Sequence, residues 1–170
     1  MRTLLVLIIT LILATAAFSQ TSLKLTETAP VFSSSSLDGK YYDLSALQGS
    51  VVVMTFWSTK CAICQAEIPR LNQFTTRYQG KNVVFLALTM ENEQRIEPYL
   101  RSNPFKFQIL PNSFGVLLQY ADRTKSGNID MGFPSFFVVD QSGKLAYRAS
   151  GYGARVAKER GVSQSSGGYQ

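Results

Sequence analysis

Val51-Val52-Val53-Met54-Thr55-Phe56-Trp57-Ser58-Thr59-Lys60-Cys61-Ala62-Ile63-Cys64 is the stretch that decides the fold. Its first six residues are apolar or β-branched and do not alternate with polar ones, the pattern of a central strand covered on both faces. Residues 57–60 then read as a loop, and a helix opens at Cys61. Ile63, Ile68, Leu71, Phe74 and Tyr78 come next at loose helical spacing, with Gly80 as the stop. Pro69 lies inside that helix and is expected to kink it. At a helix start the unpaired backbone N–H groups and the positive end of the dipole stabilise a thiolate, here on Cys61. Lys60 adds a cation directly before it. Cys64, one turn later, is placed to attack a mixed disulfide at Cys61 and release the substrate.

Further strands and helices flank this stretch. Ala29-Pro30-Val31-Phe32 starts an extended segment, and Leu37-Asp38-Gly39-Lys40 carries the Asp-Gly signal of a tight hairpin. Residues 41–43 read as its return strand and 44–47 as one helical turn. Downstream, residues 83–89 predict a second buried strand, 91–101 a helix, 105–110 a short strand and 113–121 a helix. Residues 122–130, with Ser126-Gly127-Asn128, read as an exposed loop. Residues 136–140 and 145–149 predict two strands joined through Gln141-Ser142-Gly143-Lys144. Strands alternating with helices and then a closing hairpin argue for an α/β fold with a mixed central sheet flanked by helices and an N-terminal β-hairpin extension.

Composition removes several kinds of chemistry. The chain of 170 residues suits one domain. It holds no histidine, which excludes His general bases, His-based triads and His-ligated metals. Its two cysteines cannot build a four-ligand structural zinc site, and Gln65 stands where a c-type haem signature needs histidine. No metal site and no cofactor beyond a Cys61–Cys64 disulfide are expected. The net charge of +6 comes from scattered Lys and Arg, without the basic, aromatic-interleaved stripe of a nucleic-acid binder. We expect no nucleic-acid partner.

Residues 1–19 read as an export signal: Arg2 begins it, residues 4–13 are almost wholly apolar, and Ala17-Phe18-Ser19 offers a small-x-small cleavage pattern. The alternative is an uncleaved anchor, for which the 16 residues from Thr3 to Phe18 are short of the roughly 20 that span a bilayer. Either way the folded part is expected outside the cytoplasm, in a periplasm or its equivalent. Residues 20–28 read as a flexible lead-in, 29–160 as the domain, and 161–170 as a disordered polar tail. In an exported protein a bridge across three residues removes little unfolded-state entropy, so the cysteine pair suits exchange better than stapling.

Phe56-Trp57-Ser58-Thr59-Lys60-Cys61-Ala62-Ile63-Cys64-Gln65-Ala66-Glu67-Ile68-Pro69 resembles the active-site segment of the exported thioredoxin-fold oxidoreductases called TlpA-like or ResA-like, relatives of the AhpC/TSA and Redoxin group. The resemblance runs over about residues 29–152 and includes Ala29-Pro30-Val31-Phe32, Leu37-Asp38-Gly39, and Gly132-Phe133-Pro134-Ser135-Phe136-Phe137-Val138-Val139-Asp140. It implies a thioredoxin fold and disulfide exchange with exported proteins, often as a reductant in cytochrome c maturation, fed by a membrane electron donor and acting as a monomer. By position it implies Cys61 as nucleophile, Cys64 as resolving thiol, and Pro134 as a cis-proline that helps hold an extended substrate. Phe133 before it would narrow substrate choice, Lys60 would flank the substrate, and Trp57 would pack beside the active-site loop and border the substrate, with plain core as its alternative. Glu67, one helical turn beyond Cys64, is implied to exchange a proton with it, in place of an aspartate where this chain has Thr55. The plain alternative is a glutamate paired with Arg70 or Arg77.

Two departures stand out. The Ala62-Ile63 pair lacks the proline common in the family, so no reduction potential carries over. Residues 154–160 are short for the family's closing helix. Two other functions stay open: a partner-binding domain without turnover, and a peroxiredoxin-type peroxidase. The pattern Pro-x-x-x-Thr-x-x-Cys of the latter meets Met54 and Ser58 here.

Overall fold

The computed structural model describes residues 22–150. The expected export signal, the expected disordered tail and the expected closing helix therefore lie outside the described residues. Ser33–Ser35 (β1) and Tyr41–Asp43 (β2) pair antiparallel as the expected hairpin, turning at Gly39 with φ +80°. A single 3₁₀ turn, Ser45–Leu47, leads to Val51–Phe56 (β3), and then come the long helix Ala62–Arg77 (α1) and Val83–Leu88 (β4). Glu93–Ser102 (α2), Gln108–Leu110 (β5) and Phe114–Tyr120 (α3) come next. Asp122–Arg123 (β6), Ile129–Asp130 (β7), Ser135–Val139 (β8) and Leu145–Ser150 (β9) complete the described chain.

The central sheet has five strands in the order β5-β4-β3-β8-β9, with β3, β4 and β5 parallel and β8 and β9 antiparallel to their neighbours. Strand β3 is its middle, and the unbroken apolar run has a simple cause: both faces are covered. Val52, Met54 and Phe56 belong to one core cluster with Phe32, Val116, Leu117, Tyr120 and Phe137. Val53 and Trp57 belong to the other, with Cys64, Ile68 and Leu71 of α1, Ile96 of α2, and Phe105 and Phe107.

Three expectations are corrected in detail. Residues 122–130 are not a plain loop: Asp122 pairs with Asp130 and Arg123 with Ile129, a ribbon of two-residue strands too short to leave any period in the sequence. Helix α2 begins at Glu93 rather than at 91, because the Asn92 side chain caps it by accepting the Arg95 N–H at 3.2 Å. The lead-in is tied down over residues 26–29. Thr26 N–H donates to the Leu145 carbonyl, Leu145 N–H to Glu27, and Ala29 N–H to Gly143. Arg148 also donates to the Leu23 carbonyl at 2.7 Å while paired with Asp122. The β8–β9 turn that receives this segment is built on Asp140, whose carboxyl is held below its ordinary range chiefly by the Ser142 hydroxyl and by the Lys144 amide.

Tyr120 closes the larger cluster. It is fully buried, its ring lies 5.1 Å from Phe137 and 5.9 Å from Phe56, and its hydroxyl donates to the Pro30 carbonyl at 2.7 Å. Burial pushes that hydroxyl far above the ordinary tyrosine range, so it stays a donor. Tyr120→Phe leaves the Pro30 carbonyl without its donor and should cost about 1–2 kcal/mol, read as a lower guanidinium midpoint with an unchanged denaturant slope.

Candidate active site

The two cysteines stand at the C-terminal end of the central strand, where loop residues are displayed by a rigid sheet. Cys61 is the N-cap of α1 in extended conformation, φ −89° and ψ 100°, and its Sγ accepts the Cys64 N–H at 3.1 Å. Cys61 and Cys64 are joined as a disulfide with their Cα atoms 5.2 Å apart. Their environments differ in degree: Cys61 is half-buried and packed against the cluster under α1, whereas Cys64 is 3% exposed and a member of it. Cys61 is thus the more accessible of the two and Cys64 the sheltered one.

The loop before Cys61 is closed by its own hydrogen bonds. Cys61 N–H donates to the Ser58 carbonyl at 3.1 Å, and Lys60 N–H to Ser58 Oγ at 3.1 Å. Trp57 N–H continues the sheet, donating to the Leu88 carbonyl at 3.0 Å. The register then brings a distant segment to the same place. Phe56 pairs with Ser135, so the end of β3 meets the start of β8, and Pro134 lies immediately beyond that pair. The Phe133–Pro134 peptide bond is cis. Ser135 Oγ donates to the Gly132 carbonyl at 2.6 Å, which tightens the approach.

The other expected site residues divide. Lys60 is exposed, and Phe133 is half-buried against both core clusters. Trp57 takes the core place that was its alternative: it is 2% exposed, packed on Tyr99 at 5.9 Å and Phe105 at 5.4 Å between ring centroids. Its Nε1 and the Thr55 hydroxyl are buried without a hydrogen-bond partner. Glu67 is half-buried and is gripped by Arg70, whose Nε and Nη2 lie 2.7 and 2.6 Å from Oε2. The plain alternative for Glu67, a pair with Arg70, is thus present, on a carboxylate only 17% exposed.

Glu91 is a residue that the sequence did not single out. Both of its carboxylate oxygens bind Thr59, one accepting the backbone N–H and the other the hydroxyl, each at 2.7 Å. Its position just past the end of a buried parallel strand was the available signal, since such ends carry the functional loops of α/β sheets. Among the described residues no group of three or more acidic, Cys or His side chains could hold a metal ion, and no helix is long and apolar enough to cross a membrane.

Trp57 shares the buried cluster of Cys64 and is its largest side chain. Trp57→Ala should cost about 3–5 kcal/mol, measured by guanidinium unfolding of the oxidised protein.

Known proteins share this arrangement. The family described as AhpC/TSA matches residues 25–148. The thiol-disulfide oxidoreductase ResA of Bacillus cereus is 28% identical over 125 residues, covering 72% of this chain and 68% of its own. The thioredoxin-like protein YneN of Bacillus subtilis is 27% identical over 120 residues, 69% of this chain and 66% of its own. Among solved structures, the thioredoxin domain of a thiol-disulfide oxidoreductase from Bacteroides vulgatus superposes with a TM-score of 0.64 at 21% identity, over 84% of this chain and 100% of that one. A thiol:disulfide interchange protein of the thioredoxin family from Chlorobium tepidum TLS gives 0.63 at 23%, over 77% and 89%. At these identities the structural likeness speaks to the fold, which is the thioredoxin fold with an N-terminal hairpin.

Proposed function

The chain belongs to the AhpC/TSA family, and we propose that it is an extracytoplasmic thiol-disulfide oxidoreductase that reduces disulfides of exported proteins through Cys61 and Cys64. The observation that carries this is the asymmetry of the pair: the more accessible sulfur at a helix N-cap, bonded to a sheltered sulfur one turn away. Its oxidoreductase relatives, ResA among them, support the same type of reaction. Met54, fully buried in the core, and Ser58 leave the peroxidase pattern unfilled.

The reaction begins with the pair reduced. The Cys61 thiolate, favoured by the α1 N-terminus, attacks one sulfur of a substrate disulfide. The substrate S–S bond breaks, a mixed disulfide forms at Cys61, and the first substrate sulfur leaves as a thiolate. Cys64 then loses its proton and attacks Cys61 Sγ. The second substrate sulfur leaves, the Cys61–Cys64 disulfide forms, and two electrons have passed to the substrate. Glu67 is the group we assign to accept the Cys64 proton, with Arg70 fixing its carboxylate. Pro134 and Phe133 border the substrate, and Lys60 favours the thiolate from the solvent side. A membrane thiol donor would reduce the pair again. Electron delivery for cytochrome c maturation is the role we favour for such a reductant.

Cys61→Ser should abolish disulfide exchange and trap no substrate, whereas Cys64→Ser should accumulate mixed disulfides visible on non-reducing gels. A partner-binding domain without turnover would instead keep its phenotype in the Cys61→Ser variant. Equilibration against thiol buffers should give a reduction potential near or below roughly −250 mV, and a value near about −120 mV would make the protein an oxidant. Glu67→Gln should slow resolution of the mixed disulfide by about a hundredfold, measured as the decay of the mixed disulfide by rapid quench. An unchanged rate would return Glu67 to a structural ion pair with Arg70.

A further inference from the structure

We infer that Glu91 is a positioning residue for the reactive cysteine, holding the loop that delivers Cys61 by a two-armed grip on Thr59. Three loops leave the C-terminal ends of the parallel strands β3, β4 and β5, and Glu91 sits in the middle one. The backbone already joins them in sequence. Thr89 N–H donates to the Leu110 carbonyl, Ser113 N–H to Thr89, and Asn112 N–H to Glu91, at 3.0, 2.8 and 3.1 Å. This fixes the Glu91 main chain to the β5 side. Its side chain then reaches the other way, 32 residues back in sequence, to Thr59.

The grip leaves Thr59 no free polar group. Its N–H and hydroxyl are taken by Glu91, and its carbonyl accepts Gln65 Nε2 at 2.5 Å, from the first turn of α1. Thr59 is thereby tied both to the neighbouring loop and to the helix whose N-cap is Cys61. The carboxylate itself is steadied by Arg95 Nε at 3.6 Å and by the Thr89 hydroxyl at 3.4 Å, and its side chain is 13% exposed. A surface pair such as Glu91–Arg95 contributes little alone. A largely buried carboxylate accepting a backbone N–H is a strong, directional bond. Two such bonds to one residue define position and not merely proximity.

Reactivity of a thiolate at a helix start depends on where the sulfur lies against the N–H groups and the incoming disulfide, and small displacements cost orders of magnitude in rate. The kinetic side of the inference rests on the exchange reaction proposed above. The loop's geometry can be read without it. Glu91→Gln keeps both arms, its oxygen accepting the Thr59 N–H and its amide donating to the Thr59 hydroxyl. Glu91→Ala removes both.

The test compares the full chain with its Glu91→Ala, Glu91→Gln and Thr59→Val variants. Two quantities are measured: the rate at which the reduced protein reacts with oxidised glutathione, and amide hydrogen exchange at Thr59, Lys60 and Cys61 in the oxidised protein. Glu91→Ala should slow the reaction about tenfold and speed amide exchange at Thr59 comparably, while Glu91→Gln stays within about threefold of the parent. Thr59→Val, which removes only the hydroxyl arm, should fall between, and it carries the comparison if Glu91→Ala does not fold. A folded Glu91→Ala protein within about twofold of the parent in both measurements overturns the inference, as does a Glu91→Gln protein as impaired as Glu91→Ala. A parent protein inert toward glutathione would sink the exchange reaction instead, and hydrogen exchange at Thr59 would then decide the role of Glu91 alone.

Discussion

Strand β3 has to be covered on both faces, and the rest of the molecule is arranged around that need. Its residues alternate between two apolar clusters, with Met54 and Phe56 facing Tyr120 and Phe137, and Val53 and Trp57 facing α1 and α2. Burying such side chains is the dominant favourable contribution to folding. The same packing leaves the strand no freedom of register or tilt. The segment after its last residue is therefore delivered to a fixed point in space. That segment is the loop ending in Cys61, and the Phe56–Ser135 pairing sets Pro134 across from it.

That fixed point separates the two sulfurs by environment. Cys64 belongs to the core and shares it with Trp57, Ile68 and Leu71, whereas Cys61 caps the helix and is the more accessible. A nucleophile needs access to a bulky partner, and a resolving thiol needs protection from it. One helical turn between them meets both requirements without moving any backbone. Three polar side chains around the loop and helix that carry the pair are committed: Glu67 to Arg70, Glu91 to Thr59, and Gln65 to the Thr59 carbonyl.

The parts of this design that were legible in the sequence are those written in short, strong local patterns. The buried run of β3, the Cys-x-x-Cys at a helix start, the Asp38-Gly39 turn and Pro134 each announce themselves within a few residues. The parts that were not legible depend on long-range aim or on very short pairing. Nothing near Glu91 says that its carboxylate will find Thr59, because that contact exists only once β3 and β4 lie side by side. The β6–β7 ribbon has two residues a strand and so no alternation to detect. Trp57 beside a reactive loop suited a place against a substrate or in plain core alike, and only the packing shows its ring inside the cluster between α1 and α2. Helix α2 starts at Glu93 and not at 91 because the Asn92 side chain chooses the first turn.

The pairing of residues 26–29 with the β8–β9 turn fixes a polarity for the whole molecule. Val139 lies opposite Val52, near the start of β3, so this turn and the chain segment bound to it sit at one end of the sheet while the disulfide sits at the other. Traced backward from this turn, the chain runs along β9, with Thr26 at Leu145 and Leu23 at Arg148, and so leaves that end toward the middle of the sheet. Edge strand β9 is thereby covered over its first residues by the chain's own lead-in, which occupies backbone groups that a bare strand edge would offer to another chain.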